Sequence, residues 1–169
     1  MHMHTIHSRT AVLHHNSEPM RIKNRYIIAQ ALPAGGSMST GFAELRKLVA
    51  RDFHQAVREK IQELFGDVGS GEIASNTMVK YYECGYSCIL VARCPREHEV
   101  NVRLVLSCLT KVRGIDLIIR TLRIKGSART CADALQELQA QYLEDTIVDE
   151  TERRTALDTS LQTISSLDM

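Results

Sequence analysis

The chain has 169 residues and a formal net charge of +1, with seven histidines and five cysteines. That length predicts one domain of about 100–150 residues plus tails. It holds no run of about 18 apolar residues and no apolar signal-peptide core at its N-terminus, so neither a membrane span nor secretion is expected.

The near-zero charge hides a division. Residues 20–143 carry 18 Lys and Arg against 12 Asp and Glu, a net of +6, whereas residues 144–169 carry 2 against 7, a net of −5. A basic body suits a polyanionic partner, and the acidic tail would compete for the same surface. The cysteines are Cys84, Cys88, Cys94, Cys108 and Cys131. An odd number without a secretion signal points to a reducing compartment. Cys84, Cys88 and Cys94 lack C-x-x-C spacing and a partner His, so they read as small apolar core residues rather than metal ligands. No cofactor is expected on this chain.

Residues 1–19 hold five of the histidines and show neither helical nor strand period. They are expected to form a disordered extension, with order beginning at Met20. Arg21–Leu32 reads as a strand centred on Tyr26, Ile27 and Ile28. Arg21, Lys23 and Arg25 share a parity and so a face; composition alone favours a solvated one. Residues 33–41 are a loop of Pro, Gly, Ser and Thr. Phe42–Phe65 has a helical apolar period, and Gly66 is its expected C′ residue. The glycines at 66, 69 and 71 follow a helix and lack a Gly-Lys-Ser/Thr ending, so they read as a connector rather than a phosphate loop.

Met78–Arg96 reads as a hairpin. Val79, Tyr81, Ile89, Leu90 and Val91 fit a pleated, half-buried surface, Gly85 allows the reversal and Pro95 stops the second strand. Lys80 and Arg93 lie inside these strands and Arg96 just beyond. Tyr81 and Tyr82 are adjacent and so face opposite ways, which argues against a base-stacking platform. Glu97–Thr110 is the next expected helix, with Val100, Leu104, Val105, Cys108 and Leu109 as its apolar face. Ile115–Lys125 is the last expected strand. There Thr121, Arg123 and Lys125 share one parity, Leu122 and Ile124 the other. Gly126–Thr130 leads into a helix over Cys131–Leu143, with Thr130 and Asp133 at capping-box spacing and Ala132, Leu135, Leu138 and Tyr142 as its stripe. Gly126, Ser127 and Arg129 at this junction read equally well as a plain cap and as an anion site. Residues 144–169, acidic and rich in Ser and Thr, are expected to be disordered or to fold on a partner. Leu157, Leu161 and Ile164 mark one short apolar face there.

The order strand, helix, strand, strand, helix, strand, helix predicts an α+β fold over residues 20–143. The expected form is a ferredoxin-like (RRM-like) sandwich, a four-stranded antiparallel sheet with its helices packed on one face. The other face is then open to bind something, and the odd-numbered cations of the first and last strands would project there. An acylphosphatase-like enzyme would need an Arg in residues 33–41, which contain none. His54 and His98 lie on helices without an evident partner, so a nuclease site is not expected either.

Five segments occur in an order that resembles a known family. They are Lys23-Asn24-Arg25-Tyr26, Leu64-Phe65-Gly66-Asp67-Val68-Gly69, Val79-Lys80-Tyr81-Tyr82, Val91-Ala92-Arg93-Cys94-Pro95-Arg96 and Gly126-Ser127-Ala128-Arg129-Thr130. Together they resemble the small alpha/beta protein subunit shared by ribonuclease P and ribonuclease MRP (the Pop five type), over about Met20 to Leu143. The resemblance implies a ferredoxin-like core and a non-catalytic role. The enzyme would be an RNA that uses Mg2+ to mature the 5′ end of precursor tRNA, or, in the MRP particle, to process rRNA precursors. Implied partners are that RNA, precursor tRNA indirectly, a barrel-shaped subunit of the Rpp thirty type and other subunits of the particle; the implied setting is the nucleus and nucleolus. By matching motifs, Lys23, Arg25, Lys80, Arg93, Arg96 and Arg129 are the candidate RNA contacts. Arg123 and Lys125 join them by strand parity. The turn Glu83–Ser87 departs from the family pattern, and the segments 1–19 and 144–169 lie outside it. A protein–protein scaffold with incidental RNA contact is the rival reading.

Overall fold

A computed structural model describes residues 23–35, 38–147 and 149–166; the expected extension over residues 1–19 lies outside the described residues. In chain order the elements are β1 (Asn24–Pro33), α1 (Met38–Leu45), α2 (Ala50–Glu72), β2 (Met78–Tyr82), β3 (Ile89–Pro95), α3 (Glu99–Cys108), β4 (Lys111–Val112), β5 (Ile115–Lys125), α4 (Ala128–Thr146) and α5 (Glu150–Ser166). Single 3-10 turns precede β2 and α3. No helix among the described residues is long and apolar enough to cross a membrane.

The sheet runs β2-β3-β1-β5-β4, with every pair antiparallel. α2 carries the chain from β1 over β3 to β2, and α3 carries it from β3 over β1 to β5. β1 is therefore central, and its sequence explains why. Tyr26 to Ala31 form an unbroken buried run, the pattern of a strand covered on both sides rather than the alternation of a half-solvated one.

Helices do cover both sides, which corrects the expectation of one open face. Ile27, Ala29 and Ala31 join Leu90, Ala92 and Cys94 under α1, α2 and α3. Tyr26 and Ile28 join Tyr81, Ile89 and Val91 under Cys131, Ala134 and Leu135 of α4, with Ile164 of α5. The burial pattern of β1 demands this second layer, because bare apolar strand residues would remain in water without it. The strand count is also corrected from four to five. β4 joins β5 through Arg113 (φ 48°) and Gly114 (φ 83°), a two-residue reversal in the left-handed region typical of tight hairpins.

The helical boundaries move for local reasons. The single helix expected over Phe42–Phe65 is two. α2 begins after Val49, whose N–H donates to Asp52 Oδ2 at 2.9 Å. Gly66 does not end it: at φ 64° it kinks the axis, and the helix resumes as far as Glu72. The apolar face of α3 is rotated from the expected one. Val102, Val105 and Leu106 are buried, while Val100 is 66% and Leu104 50% exposed. α4 starts earlier than expected because Ser127, not Thr130, is its N-cap and accepts from the Thr130 N–H at 3.2 Å. Residues 150–166, expected to be disordered, form α5 against α4; Ala156, Ser160 and Ile164 are buried. Small residues at 156 and 160 allow close packing without the bulky stripe that marks most helices.

Candidate nucleic-acid interface

The candidate cations gather at one end of the sheet, where β1 begins and β3 and β5 finish. Antiparallel pairing does this directly. Asn24 pairs with Pro95, Arg25 with Cys94, and Tyr26 with both Arg93 and Lys125. The Arg96 N–H donates to the Lys23 carbonyl at 2.7 Å, fastening the chain before β1 to the chain after β3. Arg25 reaches across to the α4 junction: a Cβ at Gly126 would stand 3.3 Å from its Nη1. Glycine therefore leaves room for that guanidinium. Lys23, Arg25, Arg93, Arg96, Lys125, Gly126, Ser127 and Arg129 thus share one region, built from β1, β3, β5 and the first turn of α4.

They do not share one sheet face. Arg25, opposite Cys94, belongs to the side covered by α2 and α3. Arg93 and Lys125 flank Tyr26 on the α4 side. A bulge in β5 causes the split. Thr121 opposes Ala29, but Arg123 opposes Ile28, so Leu122 is an extra residue and the parity of everything after it inverts. The expectation that odd-numbered cations of β1 and β5 project together is corrected by that one residue. A second register shift lies between Val79 and Tyr81 and leaves half-buried Lys80 as the extra residue of β2.

The cations differ in what already holds them. Arg123 donates to both carboxylate oxygens of Glu137, at 2.6 and 3.2 Å. This pairing raises the affinity of Arg123 for its proton and holds the Glu137 carboxyl below its ordinary range. Arg93, Arg96, Lys125 and Arg129 form no ion pair or side-chain hydrogen bond among the described residues. Ser127 Oγ serves as the α4 cap, so the plain-cap reading accounts for it. Lys125 lies near the buried Cys131 thiol, whose pKa burial pushes up to about 11 against the pull of that charge. Cys88, Cys94 and Cys131 are buried as core residues; Cys84 is exposed at the hairpin turn and Cys108 is intermediate. Burial pushes Cys94 up to about 12, the behaviour of a structural thiol.

Tyr81 and Tyr82 lie in opposite layers and both are buried. Tyr82 donates its O–H to the Leu45 carbonyl at 3.0 Å. They are packing residues, unavailable for base stacking. His54 sits on α2 with Nδ1 accepting from the Val79 N–H at 3.4 Å, and burial together with Arg58 lowers its pKa. Three polar residues were missed by sequence reading. Arg120 donates to Gln30 Oε1 at 3.0 Å on the α4 side. Asn24 and Thr77 lie beside Arg93. Asn24 falls inside a motif already singled out; nothing in the sequence distinguishes Thr77.

The sequence and fold were compared with known proteins. The family model described as "Rpp14/Pop5 family" matches residues 25–136. The ribonuclease P/MRP protein subunit POP5 of Schizosaccharomyces pombe is 26% identical over 113 residues, 65% of this chain and 81% of that protein. Ribonuclease P protein component 2 of Methanosphaerula palustris is 32% identical over 108 residues, 64% of this chain but 58% of the archaeal protein. One chain of the cryo-EM structure of yeast ribonuclease MRP superposes with a TM-score of 0.48 at 11% identity, covering 71% of this chain and 93% of that one. The match of the family model to most of the folded body places the segments that carry the basic sheet end, from Arg25 to Arg129, within it: the chain belongs to the Rpp14/Pop5 family.

Proposed function

We propose that this protein is a non-catalytic RNA-binding subunit of a ribonuclease P or ribonuclease MRP particle. The observation that carries the reading is the convergence of Lys23, Arg25, Arg93, Arg96, Lys125 and Arg129, drawn from β1, β3, β5, α4 and the chain just before β1 and just after β3, on one end of the sheet. Cations gathered this way neutralise phosphates where RNA strands crowd together. They position an RNA without reading its sequence, and the RNA, with its Mg2+, carries out the hydrolysis. In this reading β1, α2, β2, β3, α3 and β5 form a ferredoxin-like unit, to which β4, α4 and α5 are additions. The substrates would be precursor tRNA and rRNA precursors, and the site of action the nucleus and nucleolus.

The test is binding of the purified chain to ribonuclease P RNA over a salt series. Affinity should fall steeply as salt rises, and incubation with precursor tRNA alone should give no cleavage. Salt-independent binding, or cleavage without the RNA subunit, would overturn the proposal.

A specific observation also favours a protein-binding role. Beyond Asp116 the outer edge of β5 has no strand partner among the described residues, and beside it the exposed Val100 and Leu104 of α3 line a groove with Ile119 and Thr121 of β5. A barrel-shaped subunit of the Rpp thirty type would dock there. Capture of that subunit from nuclease-treated extract, abolished by Leu104→Asp, is the expected result.

A further inference from the structure

Next to the basic end lies a niche of about 210 Å³ that Asn24, Asn76, Thr77, Met78, Arg93 and Pro95 line. Three of its polar groups lack partners. Arg93 is half-buried without an ion pair or hydrogen bond among the described residues. Thr77 is 3% exposed, and its hydroxyl is the buried side-chain oxygen left unsatisfied there. Asn24 makes no side-chain hydrogen bond among the described residues. Asn76 spends its amide donors on the Glu72 carbonyl (2.9 Å) and Ser75 Oγ (3.2 Å), which leaves its side-chain carbonyl to accept.

A half-buried guanidinium without a counter-ion costs stability, and the Asn24 carboxamide beside it is similarly unanswered. Both conditions are met at once by a ligand that carries an anion and a hydrogen-bonding edge. Met78, 41% exposed, and Pro95 add apolar surface for a flat or sugar-like group to lie on. We infer that this niche holds a single nucleotide of an RNA strand, its phosphate on Arg93 and its ribose hydroxyl or base edge on Asn24 and the side-chain carbonyl of Asn76. The inference rests on the RNA-binding reading and sharpens it from phosphate neutralisation to recognition of one unpaired nucleotide. Arg–phosphate pairing supplies the charge-assisted contact, and a carboxamide offers donor and acceptor together.

The experiment titrates the full ¹⁵N-labelled chain with ribonucleoside 5′-monophosphates, the matching nucleosides and inorganic phosphate. Amide shifts should centre on Asn24, Asn76, Thr77, Met78 and Arg93. The monophosphates should bind at least about tenfold more tightly than phosphate or nucleoside alone. Single-stranded RNA should displace them, which identifies a strand rather than a free nucleotide as the occupant. Asn24→Ala separates binding from folding: its side chain makes no hydrogen bond among the described residues, so the melting temperature should be unchanged while the monophosphates weaken about fivefold. Arg93→Gln should abolish the shifts. Equal binding of phosphate and monophosphate, shifts centred elsewhere, or unaltered binding by Asn24→Ala would each overturn the niche. RNA affinity measured on the same wild-type sample keeps the two claims apart. RNA binding without niche shifts removes only the niche, whereas niche shifts without RNA binding remove the RNA-subunit reading.

Discussion

At the β2–β3 turn, polar groups answer one another inside the chain; at the opposite end of the same strands they do not. Glu83 accepts from the backbone N–H groups of Gly85, Tyr86 and Ser87 and from the Ser87 hydroxyl. Gln30 donates to the Ser87 carbonyl at 3.0 Å and accepts from Arg120 at 3.0 Å, and Tyr82 is tied to Leu45. A buried polar network that is fully satisfied rigidifies a structure. At the other end Arg93, Thr77, Asn24 and Lys125 have no such partners among the described residues. One end of the sheet is therefore complete as a monomer and the other is built for something outside the chain.

The contrast breaks most visibly at Glu83. Glu83→Ala removes the acceptor for the turn and leaves several N–H groups without one. A loss of about 2–3 kcal/mol is expected, as for hydrogen bonds to a charged group. Urea denaturation measures it, and RNA affinity of the folded variant should be unchanged. A loss of RNA binding at full stability would reverse the assignment of the two ends. The mirror experiment is the double substitution Arg93→Gln and Lys125→Gln. Stability should move by less than about 0.5 kcal/mol, because neither side chain is paired within the chain. RNA affinity should fall about tenfold or more. The slope of log affinity against log salt should shrink by about 2, near 0.9 for each phosphate that is no longer neutralised.

A smaller effect belongs to Tyr82. Tyr82→Phe removes the O–H that reaches Leu45, but that carbonyl also accepts from the Leu48 N–H at 3.1 Å. One acceptor interaction is removed without orphaning the group, so about 1 kcal/mol is expected from thermal unfolding. RNA binding should not respond.

These two ends were unequally legible in the sequence. β5 was expected over Ile115–Lys125, where it is, because its apolar run and bounding glycines are local signals. The grouping of Lys23, Arg25, Arg93 and Arg96 rested on motif order, and strand pairing brings them together. What escaped were features set by tertiary context. The bulge at Leu122 redirects Arg123 and Lys125, and a single extra residue leaves no mark on composition. The stripe of α4 was legible, with Leu135 and Leu138 in it, but which face of the sheet a helix covers is set by tertiary context and not by its own period. α5 escaped because its buried positions include Ala156 and Ser160, which read as tail. Thr77 shows its unsatisfied oxygen only once burial is known.

The finest test concerns a cation that stands between the two kinds. Arg123 lies one step along β5 from the open end, yet Glu137 of α4 holds it in a bidentate pair. If RNA phosphates approach this far, Glu137 competes with them. Glu137→Gln should then raise RNA affinity about threefold and steepen the salt dependence by about 0.9, the increment for one more neutralised phosphate. Its effect on stability has a defined sign with pH. The Glu137 carboxyl is held low in the folded protein, so the stabilisation is present above the ordinary carboxylate pKa and fades as pH falls through the lowered one. Wild type and Glu137→Gln should therefore converge in stability under acid and separate towards neutrality, by a small margin because the pair is exposed. Unchanged RNA affinity in the variant would place Arg123 with the internally satisfied groups and draw the boundary of the binding end at Lys125.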